Sequence, residues 1–206
     1  MSTALHLDTG TAASVTDSDS ANFDTGNLTA SITVNKFATE DALRIDTSGT
    51  VALSAGFTVG SSVSVSGTAI GTIAASGTGA GGNNLIVTFN TNATPARVTT
   101  LVNALTYINT NTVNPNINTR TIAVTVNDGD GGTSTPVNVF VNVAATGDET
   151  MTTFTDSGGS GGTIPDNGAV VLRTNTVAAG AASSRTAAPP SVTVRLSPLR
   201  LPMVGA

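Results

Sequence analysis

Apolar and polar residues alternate with a period of two along much of the chain, which is typical of β-strands that bury one face. The clearest alternation covers 121–126 and 137–143, where Ile and Val occupy every second position. The segment 128–132 between them contains three glycines, which supply the positive φ angles that a tight loop needs. This pattern predicts a β-hairpin.

Shorter apolar runs recur at intervals of about 8–12 residues and are separated by Gly, Ser or Asn, which is the sequence pattern of a β-sandwich. They lie at 28–34, 43–45, 51–53, 63–65 and 70–73. The run 85–90 is the most apolar, and we predict that it forms a central strand.

One segment has helical spacing instead. Apolar residues recur at i, i+3, i+4 and i+7 from Val98 to Leu105, after a Thr94-Pro95 pair that suits the start of a helix. We expect the Thr94 hydroxyl to cap this helix. Because the next strand follows at once, the helix is predicted to carry the chain from one sheet to the other. The overall prediction is an all-β sandwich with one short crossover helix.

The composition excludes several kinds of chemistry. Aromatic residues make up only 3% of the chain, so the core has to be built from Val, Ile and Leu. The chain contains no Cys and a single His, His6, which excludes disulfides, thiol nucleophiles and an ordinary Ser-His-Asp triad. We therefore predict that the protein is not an enzyme. No apolar run approaches the roughly 18 residues of a membrane span, so membrane insertion is not expected.

The charge is unevenly distributed. Residues 1–166 hold all 13 acidic residues against four basic ones, a net charge of −9, whereas 167–206 hold four Arg and no acid. The acidic body disfavours nucleic-acid binding, which needs clustered cations, and favours a surface that carries cations. A Cys-free, acidic chain rich in Thr, Asn and Gly also favours an extracellular or cell-surface location. No Sec signal is visible in the first ten residues, so we expect any export signal to lie elsewhere in a longer parent protein.

The patterning divides the chain into four parts. We predict an N-terminal segment at 1–13, a β-sandwich at 14–146, a linker with a partial second β module at 147–180, and a disordered tail at 181–206. The abrupt shift to Arg and Pro in the tail leaves a truncated domain or reading frame as the alternative.

Two pairs of aspartates are the candidate binding residues. Asp17 and Asp19, and likewise Asp128 and Asp130, lie two residues apart among small, turn-forming neighbours. Crowded carboxylates repel each other unless a cation neutralises them, and Ca²⁺ takes roughly 6–8 oxygen ligands. We predict one Ca²⁺ site shared by both pairs. The alternative is that these side chains only accept hydrogen bonds from their own turns.

Other polar residues receive structural interpretations. Glu40 and Asp41 precede a predicted strand, and we expect them to be solvated edge charges. Tyr107 lies in a strand, and we expect a core residue whose hydroxyl reaches the rim.

Four segments in order, 15–23, 92–98, 104–107 and 126–134, resemble the cadherin-like repeats of giant bacterial surface and secreted proteins. The resemblance implies a Greek-key sandwich, tandem arrays, an extracellular location and Ca²⁺ at the ends of repeats. It implies that Asp17 and Asp19 match the family's early aspartate pair and that Asp128, with Asp130, matches its late Asp-Gly turn. The family's Asp-x-Asn-Asp-x-Pro-like junction is missing at 146–149, which favours a local site over a full interdomain cluster.

A second, shorter resemblance covers 151–180. Phe154 and the segment 164–168 are similar to the opening of the P domain of proprotein convertases, although a plain Pro-Asp-Asn-Gly turn explains the same residues. The resemblances imply a non-catalytic, calcium-binding structural or adhesion module of a larger bacterial surface or secreted protein. Its expected partners are neighbouring repeats or a cell-surface protein or glycan. The alternative is an accessory domain of a secreted protease or glycosidase.

Overall fold

The computed structural model describes residues 4–8, 10 and 12–144, and the short segments 154–155, 161–162, 191–195 and 200–202. The described part of the chain is built mainly from strands and contains one short helix, which confirms the predicted all-β class. The predicted Greek-key connection and the cadherin-like resemblance stay predictions. Among the described residues, no helix is long and apolar enough to cross a membrane.

The elements follow in chain order as 15 strands and one helix in the described part. They are β1 (Leu5–His6), β2 (Ser14–Thr16), β3 (Asn27–Val34), β4 (Asp41–Ile45), β5 (Val51–Leu53), β6 (Ser62–Val65), β7 (Thr68–Thr78), β8 (Leu85–Phe89), α1 (Pro95–Asn103), β9 (Leu105–Asn109), β10 (Arg120–Asn127), β11 (Val137–Ala144), β12 (Phe154–Thr155), β13 (Gly161–Gly162), β14 (Ser191–Arg195) and β15 (Arg200–Pro202).

The strands form two main sheets. The large sheet has eight strands in the order β14-β11-β10-β3-β8-β7-β6-β5, and the small sheet has three in the order β1-β9-β4. Neighbouring strands in both sheets pair antiparallel, which confirms the predicted antiparallel sandwich. β8 lies inside the large sheet between β3 and β7, as predicted for the most apolar run.

The register of β3 and β10 defines two ends of the sandwich. Asn27 at the start of β3 pairs with Asn127 at the end of β10, and Val34 pairs with Thr121 at their other ends. The predicted hairpin is confirmed, because β10 pairs with β11 from Arg120–Val141 to Val124–Val137. The hairpin loop therefore lies at the end of the sandwich where β3 begins.

The core lies between the two sheets and is almost entirely aliphatic. Alternate residues of β3, β8, β10 and β11 point inward, as the period of two predicts. The small sheet contributes Leu43, Ile45, Leu105 and Tyr107 from its inner face. Phe23 and Phe89 pack together with their ring centroids 6.2 Å apart. Phe23, Phe89 and Tyr107 are thus buried in the core, whereas Phe140 is 45% exposed.

The helix forms where the sequence predicts it and crosses between the sheets. α1 follows β8 of the large sheet, precedes β9 of the small sheet, and buries Val98, Leu101 and Val102. The expected capping bond is wrong: Thr94 occupies the N-cap position, but its side chain makes no capping hydrogen bond. The Thr94 carbonyl still accepts the Val98 N–H at 2.9 Å, which begins the helical ladder.

A buried charge cluster lies at the end of the sandwich opposite the hairpin loop. Arg120 is fully buried, and its guanidinium donates to Asp41 Oδ1 at 3.1 Å and to Glu40 Oε1 at 2.8 Å. The two acids are only 1% and 4% exposed. The prediction that Glu40 and Asp41 are solvated edge charges is therefore wrong, because Arg120 compensates them inside the domain.

Tyr107 belongs to the same cluster, which we call the Arg120 cluster (Glu40, Asp41, Tyr107 and Arg120). It is a core residue as predicted. Its hydroxyl does not reach the rim as expected, because it is buried and donates to Asp41 Oδ1 at 2.6 Å. Burial first, and then the bond to Asp41, raise the pKa of this hydroxyl well above its ordinary value. The hydroxyl therefore stays a donor.

In the predicted N-terminal segment 1–13, β1 pairs with β9. Beyond residue 144 the structure describes only short strands. β12 and β13 pair in the predicted partial module, and within 181–206 β14 pairs with β11 while β15 runs parallel to β2. The segments 146–149 and 164–168 lie outside the described residues.

Candidate functional site

Two acidic loops meet at the end of the sandwich where β3 begins. The 17–20 loop follows β2, and the 128–132 loop joins β10 to β11. Ser20 Oγ donates to Asp130 Oδ2 at 2.5 Å, although the two residues are 110 positions apart. Thr25 Oγ1, further along the same connection, donates to the Gly129 carbonyl at 3.3 Å. The structure thus brings together the two segments that the sequence singled out.

Two glycines permit this approach. A Cβ on Gly129 would overlap the Asp24 carbonyl oxygen, and one on Gly26 would overlap the Asn127 carbonyl oxygen. Gly129 also has a φ of +92°, which side-chain-bearing residues rarely adopt. The backbones of the two connections are therefore in direct contact, with no space for side chains between them.

Asp128 organises its own loop. Its Oδ1 accepts hydrogen bonds from the N–H groups of Asp130 at 3.0 Å and Gly132 at 2.9 Å, and its residue is only 3% exposed. The Asp128 N–H donates to the Gly132 carbonyl at 3.1 Å. Asp128 therefore accepts hydrogen bonds from its own turn, which is the predicted alternative to metal binding. The same bonds orient Asp130 toward Ser20.

Asp17 has one satisfied and one unsatisfied oxygen. Its Oδ1 accepts the N–H groups of Asp19 at 3.2 Å and Ser20 at 3.4 Å. Its Oδ2 is buried and has no hydrogen-bond partner within the described part of the chain. A buried carboxylate oxygen without a donor is unfavourable, and a bound cation or water would satisfy it.

The acidic side chains influence one another electrostatically. Burial alone raises the pKa of Asp17, but hydrogen bonding by the Asp19 carboxyl in its protonated form and hydrogen bonds from neighbouring backbone N–H groups outweigh it and leave the pKa lowered. The pKa of Asp19 is raised, first by its hydrogen bond with Asp17, then by the charge of Asp17, and to a smaller extent by the charge of Asp130. The negative charges of Asp17 and Asp130 therefore both act on Asp19, and the repulsion among the three carboxylates favours a proton or a cation between them.

The oxygen atoms of these loops are suitable ligands for a hard cation, but the geometry limits how many carboxylates can bind one ion. Carboxylate, hydroxyl and backbone oxygens are the ligands that Ca²⁺ takes. However, no three Asp, Glu or His side chains in the described residues are close enough to hold one ion. A cation in this arrangement would take carboxylates from at most two residues at once, and hydroxyl, backbone and water oxygens would complete its shell.

No protein-family model matches this chain, and no curated protein or solved structure matches it.

The opposite pKa shifts of Asp17 and Asp19 predict a specific pH dependence in calcium-free buffer. Asp17, with its pKa lowered from 3.8, contributes stability above that value, and the contribution is lost as the pH falls through its folded-state pKa. Asp19, with its pKa raised from 3.8, lowers stability as the pH rises from that value through its folded-state pKa. We expect Asp19→Asn to remove the second effect, so that the variant melts above the wild type once the Asp19 carboxyl has ionised.

Melting temperatures of both proteins across this pH range measure the difference. Asn has nearly the same shape as Asp, so the substitution removes the charge while leaving the size of the side chain unchanged. Parallel curves for the two proteins would contradict the proposed repulsion.

Proposed function

We propose that this chain is a non-catalytic, extracellular structural or adhesion module of a larger bacterial surface or secreted protein, and that Ca²⁺ stiffens one end of its sandwich. The observation that carries the proposal is the contact between the acidic loops, in which Ser20 donates to Asp130 beside the Asp17–Asp19 pair. The resemblance of 15–23 and 126–134 to cadherin-like repeats supports the same function.

The proposed ion binds where Asp17, Asp19 and Asp130 crowd together. The unpartnered Oδ2 of Asp17 is the first candidate ligand, and carboxylate oxygens of Asp19 or Asp130 are the second. Asp128 acts by shaping the loop that presents Asp130, since its Oδ1 accepts two backbone N–H groups. When bound, the ion neutralises the repulsion and ties the 17–20 loop to the 128–132 loop.

A structural function agrees with the chemical groups that the chain has available. There is no Cys, and the single His, His6, belongs to β1 of the small sheet. The acidic loops extend from strands of the large sheet and carry no aromatic residue that would bind a sugar ring. Their carboxylates are therefore better suited to hold an ion at the end of a repeat, where neighbouring repeats or a cell-surface protein or glycan would make contact.

Calcium is expected to raise the melting temperature by about 5 °C. Sites of extracellular modules bind Ca²⁺ with a Kd of roughly 10⁻⁴–10⁻³ M, and calcium at about ten times the Kd stabilises the folded state by ~1.4 kcal/mol. Asp17→Asn and Asp130→Asn should each remove most of this increment, because each removes a charge from the crowded site. Asp128→Ala should also remove it by releasing the loop. Differential scanning calorimetry in calcium and in chelator measures the effect.

Asp46→Asn is the matched control, since it removes the same charge after β4 of the small sheet. Its melting temperature should keep the full calcium increment even if its baseline changes. Identical melting curves of the wild type in calcium and in chelator would refute the calcium site. An increment that survives in both Asp17→Asn and Asp130→Asn would place the ion elsewhere.

A further inference from the structure

The outer face of the small sheet carries a row of polar side chains. Thr106 on β9 pairs with His6 on β1 and with Arg44 on β4, so the three residues lie side by side across the sheet. Their neighbours along the strands, Leu43 and Tyr107, are in the core. Because side chains alternate along strands, the row points away from the core.

This row lines a cavity of about 400 Å³, together with Ile45, Asp46 and Phe57. Thr106 is only 2% exposed, yet its Oγ1 has no hydrogen-bond partner among the residues that the structure describes. Leaving a buried hydroxyl unpaired is unfavourable, and native proteins rarely do so without a ligand, water or functional reason. The hydroxyl is thus an unused hydrogen-bonding group in the wall of a cavity.

Arg44 is held in place with part of its guanidinium unused. Its Nη1 donates to the carbonyls of Leu43 at 2.9 Å and Thr78 at 3.3 Å, and its Cζ lies 4.8 Å from the centre of the Phe57 ring. Nε and Nη2 make no hydrogen bond to the described residues. The guanidinium is partly buried, and this removal of its charge from water lowers its pKa. A fixed, partly desolvated guanidinium edge is suited to a planar carboxylate.

Asp46 is engaged by Ser48 and His6 and does not neutralise Arg44. Its Oδ1 accepts the Ser48 N–H at 2.9 Å, and its Oδ2 accepts the Ser48 hydroxyl at 3.0 Å and lies 3.1 Å from His6 Nε2. These bonds to Ser48 lower the pKa of Asp46 and keep it ionised. Asp46 therefore orients the His6 ring at the mouth of the cavity, and the positive charge of Arg44 remains available.

We propose that this cavity binds a small organic carboxylate that also carries a hydroxyl group, such as a uronic acid. The carboxylate accepts hydrogen bonds from Nε and Nη2 of Arg44, and the ligand hydroxyl pairs with Thr106 Oγ1. The Phe57 ring contacts its apolar edge. The cavity volume lies within the range typical of small-molecule sites, about 300–1,000 Å³. The proposal shares no residue with the acidic loops and does not depend on calcium binding.

The single histidine makes the site directly observable. His6 lines the cavity, so the ¹H–¹³C correlation signal of its ring in the full chain reports on occupancy without assignment of other residues. We expect sodium glucuronate to shift this signal saturably, whereas glucose, which has a comparable ring but no carboxylate, leaves it in place. Inorganic phosphate tests whether the site accepts any anion, and a shift as large and as saturable as that of glucuronate would overturn the carboxylate assignment.

Two variants separate a binding role from a structural one. Thr106→Val is isosteric and removes the unpaired hydroxyl, so it should melt at or above the wild-type temperature yet bind glucuronate at least about tenfold more weakly. Arg44→Gln should abolish the saturable shift of the His6 signal. Thr88→Val, on an exposed position of β8, is the matched control and should bind as the wild type does. Wild-type affinity in Thr106→Val and Arg44→Gln, or no glucuronate response in the wild type, would overturn the proposal.

Discussion

Replacing Arg120 with methionine is expected to destabilise the domain by about 3–5 kcal/mol, because it leaves two buried acids without their counter-charge. Glu40 and Asp41 are at most 4% exposed, and both pair with this guanidinium. The Asp41 carboxylate also accepts from the Tyr107 hydroxyl and the Phe37 N–H, so it cannot turn toward solvent without breaking these bonds.

Arg120 also anchors the connection between β9 and β10. Its Nη1 donates to the carbonyls of Asn116 and Asn118 at 2.5 and 2.6 Å, while Glu40 accepts the Asn116 N–H at 2.9 Å. The guanidinium Cζ lies 4.7 Å from the centre of the Phe37 ring. Methionine would replace part of the volume but none of these donors, so the loop should loosen together with the cluster.

Urea denaturation of wild type and variant measures the loss. Arg97→Met is the matched control: Arg97 is partly exposed and donates to the Asn92 carbonyl, and we expect a change within about 0.5 kcal/mol. Adding Glu40→Gln and Asp41→Asn to Arg120→Met should recover part of the loss, because the uncompensated charges are then removed. An Arg120→Met variant as stable as Arg97→Met would show that the buried charges are not coupled as described.

Gly129→Ala is expected to destabilise the domain by about 3 kcal/mol or more. The new side chain would have an unfavourable φ, and its methyl group would collide with the backbone of the neighbouring connection. Gly129 has a φ of +92°, and the new methyl would overlap the Asp24 carbonyl and approach the Gly26 nitrogen. Backbone atoms cannot rotate away as a flexible side chain can. The 128–132 loop should therefore separate from the 17–20 loop, and the calcium-dependent increment in melting temperature should be lost.

Gly131→Ala distinguishes the two causes. Gly131 lies in the same loop with a φ of +124°, but a Cβ there would meet no atom within 4 Å. We expect this variant to lose only about 1–2 kcal/mol and to keep its calcium response. Urea denaturation and melting in calcium and in chelator give both readouts. Equal losses in the two variants would show that the close approach of the loops contributes nothing.

The secondary structure could be predicted because it follows from local patterns. The alternation of apolar residues predicted β3, β8, β10 and β11, and the i, i+3, i+4 spacing predicted α1. The strand order of the large sheet could not be predicted in the same way. β3 pairs with β8 and β10, neither of which follows it directly in the chain, and such pairing depends on burial in three dimensions.

The buried charges were missed although the sequence contains a signal for them. Arg120 is in phase with Ile122 and Val124 on β10, and Asp41 is in phase with Leu43 on β4. Continuing the alternation by one step would have placed both residues inward. A charged residue facing a core requires a partner, so this phase predicts an ion pair.

In the candidate sites, too, the local sequence predicted some features and not others. Spacing identified Asp17, Asp19, Asp128 and Asp130, but it could not show that Asp128 bonds its own loop while Asp130 reaches Ser20. The row of His6, Thr106 and Arg44 was not predicted, because it depends on which strands become neighbours in the small sheet. Contacts between residues far apart in sequence are set by the topology, and local patterns do not encode them.

The central position of β3 also determines when this protein can fold. Its partners on β10 lie about 90 to 100 residues further along the chain, and pairings this distant close slowly. Until residues 120–127 leave the ribosome, β3 has a bare edge, and Glu40 and Asp41 lack Arg120. A nascent chain that ends before Arg120 therefore exposes an unpaired strand and uncompensated acids, which favours association with other chains. The β3–β10 pairing and the ion pairs of Arg120 can therefore form only after residues 120–127 have been synthesised.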